Sequence, residues 1–152
     1  MDLVAGDARD IVLALSVDDT AAFDDPDRFV AHLPLGGGLD PTWLDLFSEA
    51  VRSVSANDEL MDFLDARSEL EGAAGASERI IDRVDPDWIG AVAGMSDDEL
   101  GPLAGRWIEL LEEELGLLPR EEKPWIRDLA GRIVAFSRAA ADARDVVFAW
   151  AF

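Results

Sequence analysis

The chain has 152 residues, the size of one domain, and 49% of them are hydrophobic, enough to build a core. Acids outnumber bases 33 to 13, for a formal net charge of −20 with histidine neutral. That balance excludes the basic footprint of a nucleic-acid binder and disfavours docking on anionic lipid.

Cysteine is absent, so disulfides, thiolate zinc sites and cysteine nucleophiles are excluded. No apolar run approaches the roughly 18 residues of a membrane span. The opening Met1-Asp2-Leu3 lacks the basic segment of a signal peptide. The expectation is a soluble cytoplasmic protein. Lys123 is the single lysine and every other base is arginine. High-GC codon usage explains this composition more simply than adaptation to high salt.

Apolar spacing along the chain reads as helical. Residues 2–16 place Leu3, Val4, Ala8, Ile11, Val12 and Leu15 at threes and fours. Asp25-Pro26-Asp27 opens a short helix through Phe29, Val30 and Leu33, and residues 34–39, with Gly36-Gly37-Gly38, form a loop. Asp40-Pro41 starts the next helix, because aspartate caps first-turn amides and proline needs no donor there. That helix buries Trp43, Phe47, Ala50, Val51 and Val54.

Residues 57–71 read as a helix with Leu60, Phe63, Leu64 and Leu70 inward; residues 72–77 read as a flexible connector and 77–84 as a short helical turn. Asp85-Pro86-Asp87-Trp88 repeats the start device of residues 40–43. Trp43 and Trp88 are 45 residues apart, within the period of HEAT-type repeats. No full third copy exists, so independent use of one good start device is the preferred reading. Ser96 and Glu99 form a capping box. The helix they open carries Leu103, Trp107 and Leu111 on one stripe and ends at Gly116. The longest helix runs from Pro119 or Pro124 to Ala143, with Trp125, Ile126, Leu129, Ala130, Ile133, Val134, Ser137 and Ala140 inward. The apolar tail 145–152 extends that helix, forms one short strand or tucks into the core. The expected architecture is a single all-α domain over 1–152: an orthogonal bundle of six to eight helices.

Several residues are candidates for chemistry. His32, the lone histidine, could act as a general base beside an aspartate, but one imidazole makes no zinc site, and a position late in a short helix favours a structural role. Gly37 and Asp40 stand in a glycine loop before a helix start, where phosphates can bind. No Gly-Lys-Ser/Thr ending accompanies them, so a turn or a peptide-contacting lip is the better reading. Asp18, Asp24, Asp25 and Asp27 supply hard oxygen ligands for weak divalent-cation binding, without EF-hand spacing; no other cofactor is expected. Asp58, Asp62, Asp65 and Glu69 fall at i, i+4, i+7 and i+11, which puts four carboxylates on one helix face. Glu-x-x-His, the signature of di-metal bundles, is missing. No serine lies in a Gly-x-Ser-x-Gly elbow.

The segment Ile133-Val134-Ala135-Phe136-Ser137-Arg138-Ala139-Ala140 through Val146-Val147-Phe148-Ala149-Trp150 resembles the C-terminus of the YfbM-like family of small bacterial proteins. In that family a final helix with a Phe-x-x-x-Ala-Ala pattern leads into an apolar segment ending near a tryptophan. The resemblance implies no activity. The functional expectation is a non-enzymatic module that binds a protein partner with a basic surface, through Asp58/Asp62/Asp65/Glu69 and the Asp18–Asp27 loop. An acidic mimic of nucleic acid is one specific version. The alternative is a carboxylate-based, divalent-metal-dependent enzyme.

Overall fold

A computed structural model describes residues 1–36, 39–70 and 79–151. It overturns the all-α expectation. Among the described residues five strands form one antiparallel sheet: β1 (Asp2–Gly6), β2 (Ala31–Pro34), β3 (Arg67–Glu69), β4 (Arg79–Val84) and β5 (Asp145–Ala151). Their order across the sheet is β2-β1-β5-β4-β3. Among the described residues six helices accompany them: α1 (Ala8–Ser16), α2 (Thr42–Ser55), α3 (Phe63–Ala66), α4 (Pro86–Ala93), α5 (Leu100–Leu115) and α6 (Lys123–Ala140). Single 3₁₀ turns cover Thr20–Asp24 and Asp97–Glu99.

The strands escape a periodicity reading for a physical reason. Leu3, Val4 and Ala5 of β1 are all buried, and so are Val146, Val147, Phe148 and Ala149 of β5. Both are inner strands covered on both faces, so the alternation of apolar and polar residues that marks a half-exposed strand is erased. In the expected first helix, Leu3 and Val4 belong to β1, while Ala8, Ile11 and Leu15 belong to α1. Gly6 joins the two: a Cβ there would sit 3.3 Å from the Phe29 ring. The tail settles as β5, paired with β1 on one side and β4 on the other. Residues 79–84, expected as a helical turn, are strand; Ile80, Ile81 and Val84 supply the β-branched side chains that suit it. Residues 31–34 are edge strand rather than helix end. The proposed connector 72–77 lies outside the described residues.

The helix-start devices perform as expected. The Asp40 carboxylate accepts the Thr42 amide at 2.7 Å and Asp85 accepts the Asp87 amide at 2.8 Å. Glu99 takes both the Ser96 amide and its hydroxyl, each at 3.0 Å. Gly116 ends α5 with φ +87°, a conformation that costs glycine little.

The sheet divides the core in two. On one face, α2 to α6 pack with Leu3, Ala5, Val84, Val146 and Phe148 around Phe47, Trp88 and Trp107. The Trp88 indole donates to Ser48 Oγ at 2.9 Å, and Trp107 donates to the Trp43 carbonyl at 2.9 Å. Each buried indole N–H is therefore satisfied. On the other face, α1 with Phe23 and Phe29 covers Val4, Ile81, Val147 and Ala149 in a smaller cluster. All seven apolar and serine positions expected inward from Ile126 to Ala140 are buried; Trp125 is not, with 42% of its surface exposed. Among the described residues, no helix is long and apolar enough to cross a membrane.

Candidate functional site

His32 is the residue around which the structure gathers most chemistry. It lies in β2, not late in a helix, and the sheet register places Val4 of β1 opposite it. Its Nε2 is 2.8 Å from Asp2 Oδ1 and its Nδ1 is 2.8 Å from Asp24 Oδ1. Asp2 comes from β1 and Asp24 from the end of the 3₁₀ turn. The Phe23 ring packs at 5.4 Å, centroid to centroid. The Met1 amino group stands 3.9 Å from the second oxygen of Asp2.

Ionised carboxylates only accept hydrogen bonds, so both contacts are satisfied together only by imidazolium, which carries two N–H donors. The hydrogen bond to Asp2 raises the His32 pKa most; burial opposes it, and the bond to Asp24 raises it further. The net shift is upward from the ordinary 6.5. A ring held on both sides offers no free lone pair to a substrate or a metal. The arrangement is a clasp that joins β1, β2 and the 3₁₀ turn.

The acidic loop is therefore partly spent on internal contacts. Asp24 holds His32, and Asp18 holds Arg79 of β4 at 2.8 Å. Asp19 is 4.0 Å from Arg28, and the Asp25 carboxylate accepts the Asp27 amide at 3.0 Å. Asp18, Asp24, Asp25 and Asp27 do not converge. Among the described residues no three histidine, cysteine, aspartate or glutamate side chains are grouped to hold a metal ion.

The carboxylate face of residues 58–69 also needs correction. Only Phe63–Ala66 is helical there. Asp58 precedes it in a turn, Asp62 stands at its N-cap position, Asp65 lies within it and Glu69 is in β3. Helical spacing cannot align the four, because pairing of Arg67–Glu69 with β4 draws the chain into the sheet. They remain close in sequence on the surface. Asp58, Asp65 and Glu69 are exposed, and Asp62 pairs with Arg52 at 2.8 Å. Gly37 lies outside the described residues, and the Asp40 carboxylate is turned onto Thr42, where it would exclude a phosphate.

Two features escaped the sequence reading. The first is Arg67, whose side chain is nine-tenths buried. Its guanidinium lies over Phe148 at 4.9 Å and Phe63 at 5.5 Å, with Asp82 at 3.7 Å. Among the described residues Nε and Nη1 find no hydrogen-bond partner, and ring faces and the charge of Asp82 hold this cation. Burial raises the Asp82 carboxyl above its ordinary value, and Arg67 opposes the rise. Burial raises Asp45 as well, against the Leu64 amide it accepts at 2.7 Å, while Asp62 and then Asp65 add to the rise. Strand register and ring contacts that make such a pocket join residues far apart in the chain, so no local motif announces it.

The second is a groove of about 1100 Å³ beside α1. Val12, Leu13 and Leu70 form its apolar wall, with Arg9, Arg83 and Arg144 nearby. Arg83 pairs with Asp145 at 3.2 Å and Arg144 with Asp7 at 3.3 Å. Asp145 also accepts the Ala8 amide and Asp7 the Arg9 amide. Two first-turn amides of α1 are thus already taken by carboxylates, whose charge opposes an anion at this helix start.

Comparison with protein-family models, curated proteins and solved structures finds no match for the chain.

Proposed function

We propose that the protein is a non-enzymatic interaction module that engages the basic surface of a protein partner. The observation that carries this reading is how the charges are divided. Nine of the thirteen basic side chains stand in ion pairs within the chain. The carboxylates, far more numerous, are left to form the surface. The run from Asp58 to Glu69 is one exposed example, with Asp58, Glu59, Asp65 and Glu69 exposed in the same stretch as the exposed Leu64. An exposed apolar residue in a stretch whose exposed charges are of one sign suits a partner of opposite sign, because complementary charge steers encounter and discriminates against wrong partners.

Affinity capture with the wild-type chain and with a variant carrying Asp58→Asn, Glu59→Gln, Asp65→Asn and Glu69→Gln tests the reading. The expected partner has a basic patch, is retained in low salt, is released near 1 M salt where exposed charges are screened, and is lost by the variant. Equal retention by both chains, or retention unchanged in high salt, would overturn it.

A further inference from the structure

A second surface combines acidic and apolar character in a different way. At the turn between α5 and α6, Leu115 is 58% exposed, Leu117 90% and Trp125 42%. Lys123 ties the start of α6 to the last turn of α5 through Glu112 at 2.9 Å, so these side chains share one corner of the molecule. Leu118, beside them, packs onto the core and anchors the turn. The corner is therefore built, and its three large apolar groups face water. Isolated exposed leucines are ordinary, but two leucines and a tryptophan exposed within residues 115–125 stand out, and tryptophan is enriched at binding hot spots.

The charges around the patch specify its occupant. Glu113, Glu114, Glu121 and Glu122 are exposed along its rim. The carbonyl end of α5 adds negative potential at Leu115. Of the nearby bases, Lys123 is engaged with Glu112 and Arg106 stands 4.0 Å from Glu113, which leaves Arg120 on the turn and exposed Arg127 on α6 against the remaining acids. A second copy of this chain would bring the same acids against these, and an anionic lipid surface would be repelled. We infer that the α5–α6 corner is a docking site for a basic amphipathic helix, whose apolar stripe seats on Leu115, Leu117 and Trp125 while its lysines or arginines face the glutamate rim. These residues are distinct from the run 58–69, so either surface can fail without the other.

The test uses the whole chain and a fluorescently labelled synthetic leucine–lysine helix, with a shuffled peptide of the same composition that cannot form an apolar stripe. Fluorescence anisotropy should show the patterned peptide binding at least about tenfold more tightly than the shuffled one, with Trp125 becoming shielded from acrylamide. Leu117→Ser should remove that preference, and the exposure of Leu117 means the substitution leaves the fold intact. The paired change Glu121→Gln and Glu122→Gln should weaken binding in low salt and matter little in high salt. The variant with Asp58→Asn and Asp65→Asn should bind the patterned peptide as the wild type does. Equal affinity for both peptides, or indifference to Leu117→Ser, would overturn the assignment. So would a Leu117-dependent dimer in sedimentation, or shielding of Trp125 by phosphatidylcholine vesicles in place of peptide.

Discussion

One face of the sheet lies under five helices and two fully buried tryptophans; the other carries α1, a 3₁₀ turn and an open groove. On the first face cohesion is mainly apolar, and Ser48 both receives the Trp88 indole and donates to the Leu44 carbonyl. On the second, the smaller apolar cluster is supplemented by charged ties: His32 to Asp2 and Asp24, Arg79 to Asp18, Arg83 to Asp145. The second face should therefore respond to changes of pH and salt more strongly than the first, where Arg67 beside Asp82 is a charged tie against the rings.

The largest expected effect breaks the thick face. Trp88→Ala removes a fully buried ring that contacts Phe47 and Phe63 and leaves the Ser48 hydroxyl without its donor. It should cost roughly 3–5 kcal/mol, read as a lowered urea midpoint. A loss below about 1 kcal/mol would mean that this face is not where the apolar stability resides.

His32→Gln probes the thin face and should cost about 1–2 kcal/mol at pH 5, less than two full charge-assisted bonds because Asp24 is solvated. The sign follows from linkage. The folded state holds the His32 proton more tightly than the unfolded chain does. The contribution of the clasp is therefore complete below pH 6.5 and is lost as pH rises through the raised folded value. Urea midpoints of the two proteins measured from pH 5 to pH 9 should converge at the alkaline end. A constant gap would show that the ring acts by packing alone.

The smallest effect sharpens the view of the thick face. Ser137 is fully buried in α6 and its hydroxyl has no partner among the described residues. Ser137→Ala should stabilise by about 1 kcal/mol, seen as a raised midpoint with an unchanged denaturant slope.

Helices were legible wherever a start device or an amphipathic stripe was local. Asp40-Pro41, Asp85-Pro86, Ser96 with Glu99, and Gly116 each act through neighbours in sequence. The inner strands were illegible because Leu3-Val4-Ala5 and Val146 to Ala149 are buried on both sides, which removes the two-residue period. The four carboxylates of residues 58–69 were aligned on a helical spacing that holds only over Phe63–Ala66. His32 was singled out from composition alone. Its partners were not, because Asp2 lies 30 residues away and meets it only through strand pairing.

The pairing of β1 with β5 sets Leu3 opposite Phe148 and Val4 opposite Val147. The midline of the sheet is thus closed by residues separated by most of the polypeptide, while α2, α5 and α6 are built from local turns. Closing so long a loop carries an entropic penalty that nothing gained nearby offsets until both strands meet. The barrier to reaching the native state is governed by that encounter, and the molecule should fold more slowly than its helical content suggests.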